Sequence, residues 1–332
     1  MHLRAAIRDG TSSRGVAGSA IVPPNQRRLR RVPGGMAMRW SVAGLCLGIF
    51  GCTPPADEDG GADIEVAAGD LERAVDAARS PTGEATYFLG DVDGVTGLHQ
   101  ARAGAPRKIA GGLVGASSLV ITSDGVAAVV AAEHDGGRGL ARVELADGEL
   151  AWLDGAAERS ARGLDLVRGD AGDVVVFTGA DAEGPGVFRL ALAGGDAERL
   201  AGFPADALLD GVAMTADGSL FVADGRGKVW HAAAGAAPTE VLAGVRVGDP
   251  AGVALTLDES TLLVSSLSAA GTSQVILLDT AAFTTTVFSD VIGENVGSGG
   301  VHRALDENQF AWSGVTKPRP GEGSGVVYDI GL

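Results

Sequence analysis

Asp210-Gly211-Val212-Ala213-Met214-Thr215-Ala216-Asp217-Gly218-Ser219-Leu220-Phe221-Val222-Ala223-Asp224 reads as an apolar strand, an Asp-Gly turn and a second apolar strand. An Asp-Gly pair between two short apolar runs is a strong local signal for a β-hairpin, because glycine takes the backbone conformation of a tight turn without steric cost. Four further copies can be laid on this unit, at residues 117–132, 162–179, 251–266 and 299–314. A weaker one runs from Ala74 through a Thr82-Gly83 turn to Gly90. The turn acids Asp124, Asp217, Asp258 and Asp306 fall in register. The copies recur about every 45 residues, a period of propeller blades and not of helical repeats.

Each hairpin leads into a third strand, at residues 97–103, 139–145, 186–192, 227–233, 273–279 and 325–331. A fourth follows five of them, at residues 107–110, 149–153, 198–200, 239–242 and 284–288. The last copy is one strand short. Ile64-Glu65-Val66-Ala67, just before the first hairpin, is similar to Thr239-Glu240-Val241-Leu242 and can supply the missing outer strand. The pattern predicts an all-β fold: a six-bladed β-propeller of four-stranded blades over residues 63–332, closed by an N-terminal strand that completes the last blade. An irregular β-sandwich or a β-solenoid is the alternative, and six in-register copies favour the propeller. Residues 295–300, rich in Gly and Ser, and residues 317–324, rich in Pro and Gly, read as loops.

The chain of 332 residues is 45% hydrophobic and 20% charged, a globular composition. Residues 1–35 carry seven arginines against Asp9; this net +6 leaves −22 on the remainder of a chain whose formal charge is −16. Such an acidic body repels phosphate backbones, so no nucleic-acid partner is expected. The two cysteines, Cys46 and Cys52, both lie before the repeats. Disulfides, cysteine nucleophiles and thiolate-zinc sites are thereby excluded from residues 63–332.

Residues 36–51 have the anatomy of a secretory signal: Arg39 in a short n-region, an apolar run over residues 41–50 and the small Gly51 before Cys52. The run is too short to span a bilayer. Ile49-Phe50-Gly51-Cys52 resembles the bacterial lipobox, although Phe50 stands where a small residue is usual. That resemblance implies cleavage before Cys52, lipidation of its amine and thiol, and a lipid-anchored protein of the bacterial cell envelope, at the outer membrane, whose partner is the lipid bilayer. An ordinary cleaved signal, a retained anchor and a buried strand are the competing readings. Residues 1–35 read as an upstream extension, with initiation at Met36 or Met38; a twin-arginine signal at Arg27-Arg28 is the alternative. Residues 52–62, rich in Pro, Gly and acids, read as a flexible tether.

Asp210-Gly211-Val212-Ala213 with residues 217–224 resembles the repeat of gluconolactonase-like six-bladed propellers, the senescence-marker-protein family, and that of NHL-repeat propellers. The first resemblance implies a divalent cation, calcium or zinc, on the propeller axis, with Asp210 as one ligand and a lactone or ester hydrolase activity. A hard cation needs several converging oxygens. The equivalent places in other copies hold Arg162, Ala251 and Gly299, and Arg162 would oppose a metal, so no cofactor is expected and Asp210 is read as a turn carboxylate or a partner of Arg162. Arg162, Asp210, His302 and Arg303 are the channel-lining candidates; His302 and Arg303 stand where the first-strand consensus is apolar. His99, His134 and His231 are scattered singly and read as packing or surface residues. No nucleophile elbow, zinc-protease helix, P-loop or dinucleotide fingerprint is present. These features favour a binding module for a protein, glycan or small-molecule ligand, with no catalytic residue nominated, over a metal-dependent lactonase-type hydrolase.

Overall fold

The computed structural model describes residues 64–102, 105–247, 251–289, 295–316 and 325–332. Cys52, the signal segment, the tether and residues 317–324 lie outside the described residues. Six antiparallel sheets follow one another along the chain, as expected for propeller blades. The blade that carries the quoted stretch is typical: Leu209–Met214, Leu220–Asp224, Lys228–Ala232 and Thr239–Ala243 pair in sequence order. Numbered from the N-terminus, the inner strands of blades 1 to 4 are Arg73–Arg79, Ser118–Ile121, Leu164–Gly169 and Leu209–Met214. In blade 5 the inner strand is in two pieces, Arg246–Val247 and Val253–Leu255, both paired with Thr261–Leu267. Blade 6 begins with Asn295–Arg303, and its outer strand is Ile64–Leu71, antiparallel to Gly325–Gly331 with Ile64 opposite Ile330.

The hairpin turns are built by a local sequence device. Thr122, Thr215 and Thr256 donate their hydroxyls to Asp124, Asp217 and Asp258 at 2.6–2.7 Å, and each carboxylate also accepts the N–H two residues further on. Gly218 follows at φ 84°, a conformation other residues resist. Blade 6 departs from this pattern, for Ala304 replaces the threonine before Asp306.

Blades pack face to face, so a middle strand is buried on both sides: all five residues of Leu220–Asp224 are buried. Among the described residues the apolar core divides into six clusters, one at each seam between successive blades. Blades 2 and 3 meet through Val129, Leu140, Phe177 and Phe188. Blades 6 and 1 meet through Leu71, Phe88, Ala311 and Val327. Each fully buried Leu or Phe contributes roughly 1.5–3 kcal/mol, so a core of mostly Val, Leu and Ala suffices when the seam recurs around the ring.

One sequence expectation is corrected. Residues 295–300 are not a loop; they belong to the strand Asn295–Arg303. Their glycines serve close approach on a crowded inner strand: a Cβ on Gly300 would lie 1.6 Å from the Asp76 carboxylate, and one on Gly299 would lie 2.2 Å from the Ser313 hydroxyl.

Candidate functional site

Inner strands from all six blades converge on two axial spaces. The smaller, about 10 Å³, is lined by Asp76, Ser118, Gly163, Gly211, Gly252 and Gly300, with His302 beside them. These are equivalent register positions of six blades. Small residues stand there because the strands crowd the axis: a Cβ on Gly163 would lie 1.8 Å from the Asp210 carbonyl oxygen. Asp76 breaks the small-residue rule and fills the centre. One of its oxygens accepts the Ala77 N–H at 2.9 Å; the other accepts the Leu119 N–H at 2.8 Å and lies 2.8 Å from His302 Nε2. The space left is about that of one water.

His302 also lies 3.3 Å from the Ser118 hydroxyl, again through Nε2. A catalytic Ser-His-Asp relay needs serine and carboxylate on different ring nitrogens. Here both partners share one, so this is an ion pair with a hydroxyl neighbour. Burial would push the His302 imidazole down, but Asp76, with the more distant charge of Asp165, holds it above its ordinary value. Asp165 accepts N–H groups from Leu166 and Met214 at 2.9 and 2.8 Å. Burial still pushes its carboxyl up against these donors and the His302 charge.

Beyond this plug, towards the Asp-Gly turns, a larger cavity of about 170 Å³ opens, with Asp165, Arg168, His302 and Arg303 among apolar walls. Arg303 is partly buried, and its Nε donates to the Leu255 carbonyl at 2.7 Å.

At the other end, where the inner strands begin, stand Arg162 and Asp210. Arg162 Nη1 lies 3.6 Å from Asp210 Oδ1, across adjacent blades. Arg138 is close by, its Nη2 donating to the Ser117 hydroxyl at 2.6 Å, and that hydroxyl donates to the Arg162 carbonyl at 2.9 Å. Burial and the neighbouring Arg162 lower the Arg138 guanidinium from its usual value. This setting does not fit a divalent cation: Asp210 faces guanidinium groups, and among the described residues no three His, Cys, Asp or Glu side chains converge.

The four candidates therefore divide. Arg162 and Asp210 pair at one end of the axis, His302 sits in the plug, and Arg303 lines the cavity at the other end. Sequence reasoning missed Asp76, Asp165 and Arg168. The signal for the first two was present: Asp76 stands where four other copies have glycine, and Asp165 where Val120, Ala213 and Ala254 are apolar. The other histidines among the described residues pack on aromatic rings. His99 stacks on Phe88, His134 on Trp152 at 4.0 Å between centroids, and His231 tilts against Phe221. No helix of the described residues is long and apolar enough to cross a membrane.

No family model matches the chain and no curated protein matches it in sequence. Solved structures do match, at the level of fold. A gluconolactonase from Xanthomonas campestris is similar with a TM-score of 0.59 and 17% identity, over 82% of this chain and 90% of that one. The PQQ-bound aldose sugar dehydrogenase from Streptomyces coelicolor is similar with a TM-score of 0.52 and 10% identity, over 81% and 98%. TolB from Acinetobacter baumannii has a TM-score of 0.53 and 11% identity, over 64% of this chain; the match spans about half of that protein, 53%. Structural neighbours of this protein thus include gluconolactonase-like propellers, and the fold is a six-bladed β-propeller.

Proposed function

We propose that this protein is a lipid-anchored envelope binding module, tethered through Cys52 and presenting the ends of a closed propeller axis to a ligand. The observation that carries the reading is the Asp76–His302 plug. It fills the axis and uses the histidine and the buried carboxylate for structure, so neither is free to act as a base. The pairing of Asp210 with Arg162 supports it further, because it spends the one carboxylate that the family resemblance offers to a metal.

Two measurements test it. Chelator-treated protein is titrated calorimetrically with calcium, zinc and manganese and then assayed on sugar lactones. Neither tight binding nor turnover is expected. Micromolar binding and lactone hydrolysis that disappear together in Asp210→Ala would put the lactonase-type hydrolase in its place. For the anchor, the intact mass of membrane-extracted protein should correspond to a chain that starts at an acylated Cys52. An unmodified Cys52 rules the anchor out.

A further inference from the structure

Three guanidinium groups line the larger axial cavity in different states; Arg79 is spent on the Asp329 carboxylate, the Thr86 hydroxyl, the Gly83 carbonyl and the Gln309 side chain. Arg168 of blade 3 reaches across the axis to Asp306 of the diametrically opposite blade 6. It meets the carboxylate with both Nη atoms, Nη1 to Oδ1 at 2.5 Å and Nη2 to Oδ2 at 3.0 Å. Arg303 spends Nε and Nη1 on the carbonyl oxygens of Leu255, Ala304 and Leu305 at 2.6–3.0 Å, and its Nη2 has no hydrogen-bond partner among the described residues.

Asp306 can make the cross-axis pair because of its local sequence. Asp124, Asp217 and Asp258 are each held in their turns by a threonine hydroxyl, whereas Ala304 leaves Asp306 without one. The pair is weakly held, since both side chains are nearly half exposed, at 49% and 41%, and water screens them. The two acids that share the cavity are already engaged. Asp165 accepts N–H groups on both oxygens, and Glu259 accepts the Ala216 N–H at 2.7 Å. A forked guanidinium matches a planar carboxylate in two parallel hydrogen bonds, so Asp306 occupies Arg168 as an internal carboxylate at the rim of an apolar-walled space.

We propose that this cavity binds a small carboxylic acid with a short apolar body. Its carboxylate is received by Arg303 and, once Asp306 swings aside, by Arg168; its body packs on Val120, Leu255 and Leu305. At about 170 Å³ the space suits an acid of a few carbons and is too small for an oligosaccharide or a folded peptide. The assignment rests on the binding-module reading and names a ligand class for it.

The test is calorimetric titration of the full chain at neutral pH with butyrate and benzoate, against butyramide, benzamide and inorganic phosphate. Both acids should bind, and their amides should bind at least roughly tenfold more weakly, the loss expected when a charge-assisted pair is removed. Arg303→Gln should bring the acids down to the level of the amides, and Asp306→Asn should tighten acid binding severalfold by removing the internal competitor. Arg168→Gln, at an exposed position, serves the same purpose if Arg303→Gln does not fold. Equal affinity for acid and amide, preference for phosphate, or no binding of either acid overturns the proposal. So does acid binding that both arginine variants leave untouched. The two readings fail separately: lactone turnover overturns the binding module, whereas absence of acid binding overturns this site alone.

Discussion

The carboxylate of Asp76 and the imidazole of His302 lie 2.8 Å apart across the seam where the first blade meets the last, with the Asp76 side chain 1% exposed. A charge buried this deeply is tolerated only because it is paired and because two main-chain N–H groups complete its hydrogen bonding. Breaking such a pair by removing one partner costs about 3–5 kcal/mol, because the other charge is left uncompensated. Asp76→Asn should therefore lower the unfolding free energy by about 3 kcal/mol. Urea unfolding measures it, and a loss below about 1 kcal/mol would mean that the pair is solvated in solution.

The same pair sets a pH dependence. Against the opposing effect of burial, Asp76 and Asp165 raise His302 in the folded state. A raised histidine contributes stability that is fully present below its unfolded value, about 6.5, and is lost as pH rises through the folded value. Stability should thus decline on the alkaline side of about 6.5, and His302→Gln should abolish that slope. Unfolding at a series of pH values decides it; an identical slope in the variant would assign the dependence to another group.

The axial ring leaves no room for side chains beyond those it has. Gly300→Ala would bring a methyl against the Asp76 carboxylate, where the Cβ position is 1.6 Å from Oδ1. Overpacking of this kind typically costs 1–3 kcal/mol, so we expect a loss of about 3 kcal/mol, at the upper end because the displaced group is a buried charge. Gly271→Ala, in a surface turn at φ 81°, provides a comparison in which only backbone strain is introduced. Equal losses at the two sites would show that the axis is less crowded than the distances imply.

Closure of the ring is measurable at Leu71, the last residue of Ile64–Leu71 and 3% exposed. It packs with Phe88, Ala311 and Val327 at the seam of blades 6 and 1. Leu71→Ala should cost about 2–4 kcal/mol, as other leucine truncations in cores do. A cost below about 0.5 kcal/mol, the level of a surface substitution, would show that this strand does not close the last blade.

The turn acids give a prediction that requires no unfolding. The Thr215 hydroxyl and the Ser219 main chain and hydroxyl hold the Asp217 carboxyl down to about 2. A carbon-detected NMR titration should find it there, and Thr215→Val should raise it. A group lowered in this way contributes stability above its unfolded value that is lost as pH falls through the folded one. An Asp217 that titrates normally would mean that the turn hydrogen bonds do not persist in solution.

The amino-acid sequence by itself determined the blade. Apolar runs, an Asp-Gly turn and a threonine two residues before the aspartate are contiguous features, and their chemistry acts within a few residues, so a repeat of about 45 residues is legible without coordinates. Residues 295–300 misled because their Gly and Ser content matches a loop as well as it matches a strand that runs against a crowded axis. His302 and Arg303 were legible as polar residues on an apolar strand, and Arg162 as a charge near Asp210. What only the tertiary structure decided is which groups meet at the axis. Asp76 lies 226 positions from His302, and Arg168 lies 138 from Asp306. Those separations collapse only when six blades close into a ring, because closure sets the first blade beside the last and the third across the axis from the sixth, and nothing in the neighbouring sequence of either partner encodes that meeting.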